Sequence, residues 1–410
     1  MPRSRSTSEQ VGLGQIKCHH VPSKSSDMVA LDRTWRRQVP LGGTCSDQDA
    51  DSLPMEHRPK QTQSIKVADM KQQNELIKHP TIAIDVGYGN TKTAWAMGAE
   101  IATNMFPSLA PLAANSSLNA FGGGVFKGRN VLNVEVDGAR YEVGPGVSIS
   151  GAHVHTGRSL SEDFATTAGY AALLAGALHY AGAREVDRLV LGLPVHNTQK
   201  YAAHLKERFA GTHNFGWGDI HVGSVLPLPQ PLGTLIHYIQ QRGKQYDPDN
   251  SYLVIDVGYF TTDWVVARGY TVDDTRSGGV PGGAARIYQQ VASLITADRN
   301  QPDVGIERID QAIRDAKPLV YFGEDLDMGP YLSEAMALTN QPVKEIQTRV
   351  GRTDDLRAII LTGGGAQLYA PAIRAAFPLN PIHMMDSPCF ANVRGFYTIG
   401  AATRQASRAA

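Results

Sequence analysis

Beyond about residue 80, short apolar runs alternate with longer Ala-rich or amphipathic stretches, the pattern of strands alternating with helices. Thr81 to Ile84 reads as a strand and Thr91 to Met97 as its hairpin partner. Val131 to Val136 and Arg140 to Val143 flank Asp137-Gly138, a strong hairpin signal. Ser159-Leu160-Ser161-Glu162 has the form of a capping box and predicts a long buried helix reaching about Tyr180. Arg188 to Leu193 predicts a short buried strand ending at Pro194, and Thr198 to Phe209 a helix. The second half repeats the pattern: a helix from Pro231 to Arg242, a strand from Leu253 to Asp256, a glycine-rich turn from Gly278 to Gly283 and a helix from Ala284 to about Ile295. Residues 303 to 350 are expected to be largely helical, and Ala358 to Leu361 forms another buried strand before Thr362-Gly363-Gly364-Gly365 and a helix started by Pro371, since proline suits the first turn of a helix. The expected class is α/β.

The apolar runs contain an internal echo. Ile82-Ala83-Ile84-Asp85-Val86-Gly87-Tyr88-Gly89-Asn90-Thr91-Lys92 returns 171 positions later as Leu253-Val254-Ile255-Asp256-Val257-Gly258-Tyr259-Phe260-Thr261-Thr262-Asp263. Each copy is a strand ending in a carboxylate, a tight turn, and a returning strand. A single such turn is common in ordinary hairpins, so the repetition is what marks the pair.

Residues 1 to about 75 stand apart: Ser-, Gln-, Asp- and Lys-rich, without apolar periodicity, and expected to be disordered because they bury too little to offset chain entropy. The remainder of the 410 residues is enough for two domains with real cores. Lys+Arg and Asp+Glu are both 39, giving a net charge of +0, so direct nucleic-acid binding through bulk charge is not expected. The three cysteines, Cys18, Cys45 and Cys389, lack metal-ligand spacing, and a reducing cytoplasm is the expected compartment. Phe164 to Ala183, the most apolar long stretch, is too rich in Ala and Gly for a membrane span and reads as a core helix.

The chemistry follows from the echoed turns. Asp85 lies at the carboxyl end of a strand, where ligands bind in α/β sheets. Gly87 and Gly89 let backbone amides approach phosphate oxygens, with Tyr88, Asn90 and Thr91 completing the turn. Lys92 returns to the same end of the hairpin and supplies a positive charge for the β- and γ-phosphates. Asp256 occupies the equivalent place in the second copy, followed by Gly258, Tyr259, Thr261 and Thr262, but Asp263 stands where the first copy has lysine. That asymmetry suits hydrolysis: one loop holds phosphate electrostatically, and the other brings a carboxylate to the attacking water. Asp85 and Asp256 are the candidate ligands of Mg²⁺. Gly363, Gly364 and Gly365 would lie against an adenosine, with Gly279 and Gly282 on the other side of the ribose. His196, after the Pro194 turn, is expected near the cleft but in a structural or solvated role. Trp95 and Trp264 are expected at equivalent positions of the two halves.

The order of these motifs resembles the superfamily of actin, sugar kinases and heat-shock ATPases. The residues carrying the resemblance include Asp85 to Lys92, Phe106-Pro107-Ser108, Tyr141 to Gly144, Gly192-Leu193-Pro194, Asp256 to Asp263, Leu361 to Gly365 and Phe390 to Phe396. Within that group the chain looks most like plasmid-segregation actins of the ParM/StbA type, and more specifically like the ParM-like D proteins of PRTRC systems. The resemblance covers roughly residues 80 to 402. It implies an actin-like fold of two ribonuclease-H-like lobes, 80–225 (rejoined by about 388–402) and 226–387, with ATP and Mg²⁺ in the cleft between them. It further implies ATP hydrolysis with Asp256, Asp85 and Lys92 catalytic, self-association into head-to-tail filaments, and a DNA-bound adaptor protein as partner. Tyr88 stands where actins have serine, and Tyr259-Phe260 is bulkier than the usual pair. A small-molecule kinase of the same fold is an alternative, disfavoured because Gly192 to Tyr201 holds no Asp or Glu to deprotonate a substrate hydroxyl. A nucleotide-gated binding module without turnover is the other alternative.

Overall fold

The computed structural model describes residues 77–113, 129–147, 161–302 and 304–409, with side chains to 404. The polar segment 1–75, Cys18, Cys45, and Ser159-Leu160 of the expected capping box lie outside the described residues.

The first sheet grows from the first echoed hairpin. β1 (Ile77–Val86) pairs antiparallel with β2 (Asn90–Met97), and β2 with β3 (Glu100–Pro107). A separate hairpin, β4 (Leu132–Val136) and β5 (Ala139–Val143), turns at Asp137-Gly138, both at positive φ, as the Asp-Gly pair predicts. The buried helix α1 (Ala168–Tyr180) opens later than expected. Its cap is Thr167, whose hydroxyl accepts the Tyr170 N–H, and a 3₁₀ turn at Phe164–Thr166 replaces the helix start expected at the capping box. Every residue from Tyr170 to Leu178 is buried. Gly176 lets the helix touch Val143, whose Cγ2 lies 2.6 Å from where a Cβ would sit.

β6 (Ala183–Leu193) runs parallel to β1. After α2 (Val195–Phe209), β7 (Gly211–Asn214) and β8 (Asp219–Val222) form a hairpin at the sheet edge, and β9 (Val225–Pro229) pairs parallel with β6. The first sheet therefore continues to Pro229, past the expected boundary at 225/226, because Val225 to Pro229 pairs with Leu189 to Leu193. α3 (Gln230–Arg242) then crosses to the second sheet.

The second sheet repeats the first. β10 (Ser251–Val257), β11 (Thr261–Arg268) and β12 (Thr271–Pro281) form an antiparallel meander, and β15 (Leu356–Thr362) and β16 (Ile382–Met384) extend it in parallel beyond β10. The expected turn from Gly278 is instead strand as far as Pro281, since Gly279 and Gly278 pair with Asp263 and Trp264. Trp95 and Trp264 do not occupy equivalent positions: Trp95 lies opposite Ile82, three residues before Asp85, whereas Trp264 lies opposite Ile255, directly before Asp256. The rung equivalent to Trp264 is held by Thr93, opposite Ile84.

Between β12 and β15, α4 (Ala284–Arg299), α5 (Ile306–Arg314), the small hairpin β13 (Leu319–Tyr321) and β14 (Glu324–Leu326), and α6 (Gly329–Ala335) pack chiefly on one another. The hairpin interrupts a stretch expected to be helical; Phe322 and Gly323 turn it with positive φ. α7 (Asn340–Val350) and α8 (Ala366–Ala376) cover one face of the second sheet and α3 the other; α8 opens directly after Gly365, five residues before the start expected at Pro371, which lies inside the helix. The chain returns through α9 (Ala391–Ala409), which packs on β1 and β6 of the first sheet. α3 and α9 cross at backbone contact: a Cβ on Gly395 would lie 1.7 Å from the Gly233 carbonyl oxygen, so no larger residue fits.

Candidate functional site

The two echoed hairpins point their turns at each other. Asp85 and Gly192 lie one residue before the ends of parallel β1 and β6, Asp256 lies one before the end of β10, and Gly363 directly follows β15, so both sheets present carboxyl ends to one cleft of about 750 Å³, open to solvent. Asp85, Gly87, Tyr88, Gly89, Asn90 and Lys92 line it from the first lobe. Asp256, Gly258, Tyr259, Thr261, Gly363, Gly364 and Gly365 line it from the second. The loops touch: a Cβ on Gly89 would meet the Tyr259 Cβ at 2.9 Å.

On the first side, Asp85 pairs across the hairpin with Lys92, and Lys92 Nζ donates to Asp85 Oδ2 at 3.0 Å. Burial works to lower the Lys92 pKa, but the charge of Asp85 beside it more than offsets this and holds the ammonium above its ordinary value. The other oxygen, Asp85 Oδ1, accepts from Gln230 Nε2 at 2.8 Å. Gly192 is bare beneath it, because a Cβ there would lie 2.9 Å from the same oxygen and 2.7 Å from the Phe396 ring.

On the second side, Asp256 pairs across its hairpin with Asp263. Asn392 Nδ2 donates to Asp256 Oδ2 at 2.6 Å. Burial raises the Asp256 pKa to about 7, with the Asn392 hydrogen bond acting against it and the Asp85 charge adding to it. Gly363 adopts φ 91°, and a Cβ there would fall 2.4 Å from Asp256 Oδ1 and 2.3 Å from the Val257 carbonyl oxygen. Only glycine suits that turn. Gly365 N–H donates to the Val257 carbonyl at 2.9 Å and ties the third loop to the second.

Four expected contacts do not line the cleft. Side chains alternate along a strand, so with Lys92 and Thr261 facing the cleft, Thr91 and Thr262 face the other way. Thr91 Oγ1 bonds Ser108 Oγ at 2.9 Å, and Ser108 Oγ in turn donates to the Gly87 carbonyl at 2.5 Å, which braces the turn from behind. Thr262 Oγ1 donates to the Gly282 carbonyl at 2.8 Å, and Tyr369 OH to the same oxygen at 2.6 Å. Gly282 is covered by Pro342 rather than open to a ribose. Gly279 is bare because a Cβ would meet Asp263 Oδ1 at 2.2 Å and His196 Nδ1 at 2.8 Å. Tyr88 lines the cleft with its ring only: it stacks on Phe164 at 5.1 Å, meets Phe260 of the second loop at 4.8 Å, and donates its hydroxyl to the Ser161 carbonyl.

His196 and Asp263 form a second bridge between the lobes. Asp263 Oδ1 accepts the Val195 N–H at 2.8 Å and lies 3.5 Å from His196 Nδ1. The hydrogen bond to Asp263 raises the His196 pKa against the opposing effect of burial.

The site also contains residues the sequence reading passed over. Gln230 follows the last residue of β9, a strand parallel to β6, so its place at a carboxyl end was the available signal. Asn392 sits within the Phe390 to Phe396 motif, but nothing local marks its distant bond to Asp256. Tyr288, Asp310 and Arg314 line the end of the cleft formed by α4 and α5. Asp310 and Arg314 share a helix face at i,i+4 spacing and bond at 3.2 Å.

Residues 83–233 match the family model of the actin like proteins N terminal domain, and residues 254–375 that of the archaeal actin homologue MreB-like, C-terminal domain. The native crystal structure of Ta0583, an archaeal actin homolog, is similar at a TM-score of 0.64 with 18% identity, covering 80% of this chain and 99% of that one. A ParM from a 15-stranded Clostridium botulinum filament gives 0.63 with 20% identity, covering 80% and 100%. Ta0583 in complex with ADP gives 0.60 with 19% identity, covering 80% and 99%. No curated protein matches the chain significantly. The fold is actin-like, in two lobes. Both family models that match the chain, one in each half, describe actin-like proteins.

Proposed function

We propose that this protein binds Mg-ATP between its lobes, hydrolyses it, and assembles into filaments under nucleotide control to segregate a plasmid or mobile element, as a ParM-like protein of the PRTRC type. The observation that carries the reading is the pair of buried carboxylates, Asp85 and Asp256, brought to one cleft by duplicate glycine turns, with one lysine between them. The relatives support it: one was solved with ADP and another in a filament.

We assign the following roles, which the geometry of the cleft supports. Amides of the Gly87–Asn90 turn and the Lys92 ammonium receive the phosphate tail. Gly363 to Gly365 leave room for the nucleoside, whose far end meets Tyr288, Asp310 and Arg314. Asp256 accepts the proton of the attacking water, a role suited to a buried carboxyl that lines the cleft and whose affinity for a proton is raised by burial. Gln230, tied to Asp85, orients the water from the first lobe. No cluster of three ligating side chains occurs among the described residues. Two carboxylates nonetheless fit magnesium, which keeps several waters and takes its remaining ligands from substrate phosphates. When bound, the ion would neutralise phosphate charge, with Asp85 and Asp256 holding it. No described helix is long and apolar enough to cross a membrane. We assign filament coupling to DNA to a separate adaptor protein, since the chain carries a net charge of +0.

Ultracentrifugal pelleting with ATP, ADP and a non-hydrolysable analogue, with phosphate release followed in parallel, tests the reading. ATP-dependent pelleting together with phosphate release is expected. Nucleotide binding without turnover or polymer would replace it with a binding module, and hydroxyl-substrate-dependent ADP release with a kinase.

A further inference from the structure

A second, smaller pocket lies behind the first phosphate loop. It shares Tyr88 and Gln230 with the cleft, and Tyr170, Gly192 and Asn197 are among its other walls. Gly192 sets it against Asp85: a Cβ at that position would lie 2.9 Å from Asp85 Oδ1, so the pocket adjoins this carboxylate. Its enclosed space is about that of a single water molecule. None of the roles assigned to the cleft makes use of it.

Tyr170 stands in the first turn of α1 and is 1% exposed. Its ring meets Phe164 edge-on at 5.5 Å and Phe209 at 6.2 Å, which fixes where the hydroxyl lies. That hydroxyl is buried and makes no hydrogen bond to any described residue. Buried hydroxyls are bonded as a rule, to protein or to ordered water, because losing water without a replacement partner is costly. The neighbouring tyrosine follows the rule, since Tyr88 donates its hydroxyl to the Ser161 carbonyl at 2.9 Å. Burial first, and then the charge of Asp85, raise the Tyr170 pKa, so the group stays a neutral hydroxyl able to donate.

The other polar walls supply acceptors. Gln230 commits Nε2 to Asp85 Oδ1 at 2.8 Å and carries a carbonyl oxygen besides. Asn197, buried at the start of α2, directs Nδ2 to the Glu162 carbonyl at 3.3 Å and likewise carries a carbonyl oxygen. One donor and two acceptors around a space of this size match the roughly two to four polar partners of a buried water. A glutamine whose carbonyl receives a donor while its amide nitrogen holds a carboxylate cannot turn over without losing both bonds.

We propose that this pocket is an internal water site and that Tyr170 is a positioning residue for hydrolysis: its hydroxyl donates to a buried water, which donates to the Gln230 carbonyl and fixes the amide that holds Asp85. The inference rests on the hydrolysis reading above and adds the group that keeps Gln230 in place. Tyr170→Phe keeps the ring and removes the hydroxyl. With the full chain, turnover at saturating ATP is expected to fall about three- to tenfold, while nucleotide affinity stays within about twofold of wild type and the melting temperature is unchanged. A packing role would lower turnover whatever residue stands at 230, so Tyr170→Phe is also combined with Gln230→Ala. The double variant is expected to turn over no more slowly than Gln230→Ala alone. A crystal structure of the full chain that resolves ordered waters should show one within hydrogen-bond distance of both Tyr170 Oη and Gln230 Oε1. Wild-type turnover in Tyr170→Phe, a further loss of the same size on the Gln230→Ala background, or a pocket that holds no water overturns the proposal and leaves the hydrolysis reading standing. Wild-type protein that binds nucleotide without releasing phosphate overturns both.

Discussion

The two phosphate loops are the same structure carrying different chemistry. Both are hairpins in which an aspartate ends the first strand and its cross-strand partner sits seven residues on. In the first, that partner is Lys92, which compensates Asp85 at 3.0 Å. In the second it is Asp263, and among the described residues the donor to Asp256 is neutral Asn392. One carboxylate is thereby held by a cation, while the other is buried with its pKa lifted to about 7. Duplication supplies the cradle, and a single exchanged rung separates a phosphate-holding loop from a proton-accepting one. Asp263 is not idle either, since it turns away to bridge the lobes through Val195 and His196.

The largest effect is expected where the comparison assigns the proton. Asp256→Asn keeps the volume and can keep a bond to Asn392, but it removes the base. Phosphate release should fall by about 10²–10⁴-fold, with nucleotide affinity changed only a few-fold and any filament longer-lived. A stopped-flow phosphate sensor and fluorescent-nucleotide titration would read the two quantities. Normal phosphate release by this variant would remove Asp256 from the chemistry.

The lysine rung should behave in the opposite way. Lys92→Met removes the cation and leaves Asp85 with Gln230 alone. Nucleotide affinity should drop at least about tenfold, the scale of one lost hydrogen bond to a charged group. At saturating nucleotide, turnover should fall less than in Asp256→Asn. Isothermal titration with a non-hydrolysable analogue, beside turnover at saturation, separates these. Equal losses in affinity and turnover for both variants would erase the distinction between the loops.

How far this asymmetry was legible in the sequence depends on the range of the forces involved. The echoed strands, their turns and the Asp–Lys against Asp–Asp contrast are local, and the period of the pattern displays them directly. Which of two adjacent threonines faces the cleft is also a matter of period, yet it needs the register: Thr261 faces in and Thr262 out only once Asp256 is fixed opposite Asp263. The extent of β12 was hidden because Gly278 and Gly279 have the composition of a turn. They are glycine to make room for Trp264 and for the Asp263–His196 pair. Gln230 and Asn392 were hidden for a third reason. Each is brought to its carboxylate by the crossing of α3 and α9 at Gly233 and Gly395, a contact between segments more than 150 residues apart.

The smallest effect is expected at the bridge that Asp263 makes instead of pairing with a cation in the cleft. The hydrogen bond to Asp263 raises the His196 pKa. A histidine with a raised pKa in the folded protein adds stability that is fully present below its ordinary value of about 6.5 and is lost as pH rises through the raised value. The Val195 N–H bond to Asp263 does not titrate in this range, so only part of the bridge responds. Wild type should therefore lose interlobe stability as pH rises from about 6.5 through the raised pKa. His196→Gln keeps a donor at this position but carries no charge. Its melting temperature should lack that component, so the two melting temperatures should differ most below about pH 6.5 and converge above the raised pKa. A difference that stayed constant across this range would mean that His196 contributes by packing alone, and that the second loop's exchanged rung has no electrostatic partner in the first lobe.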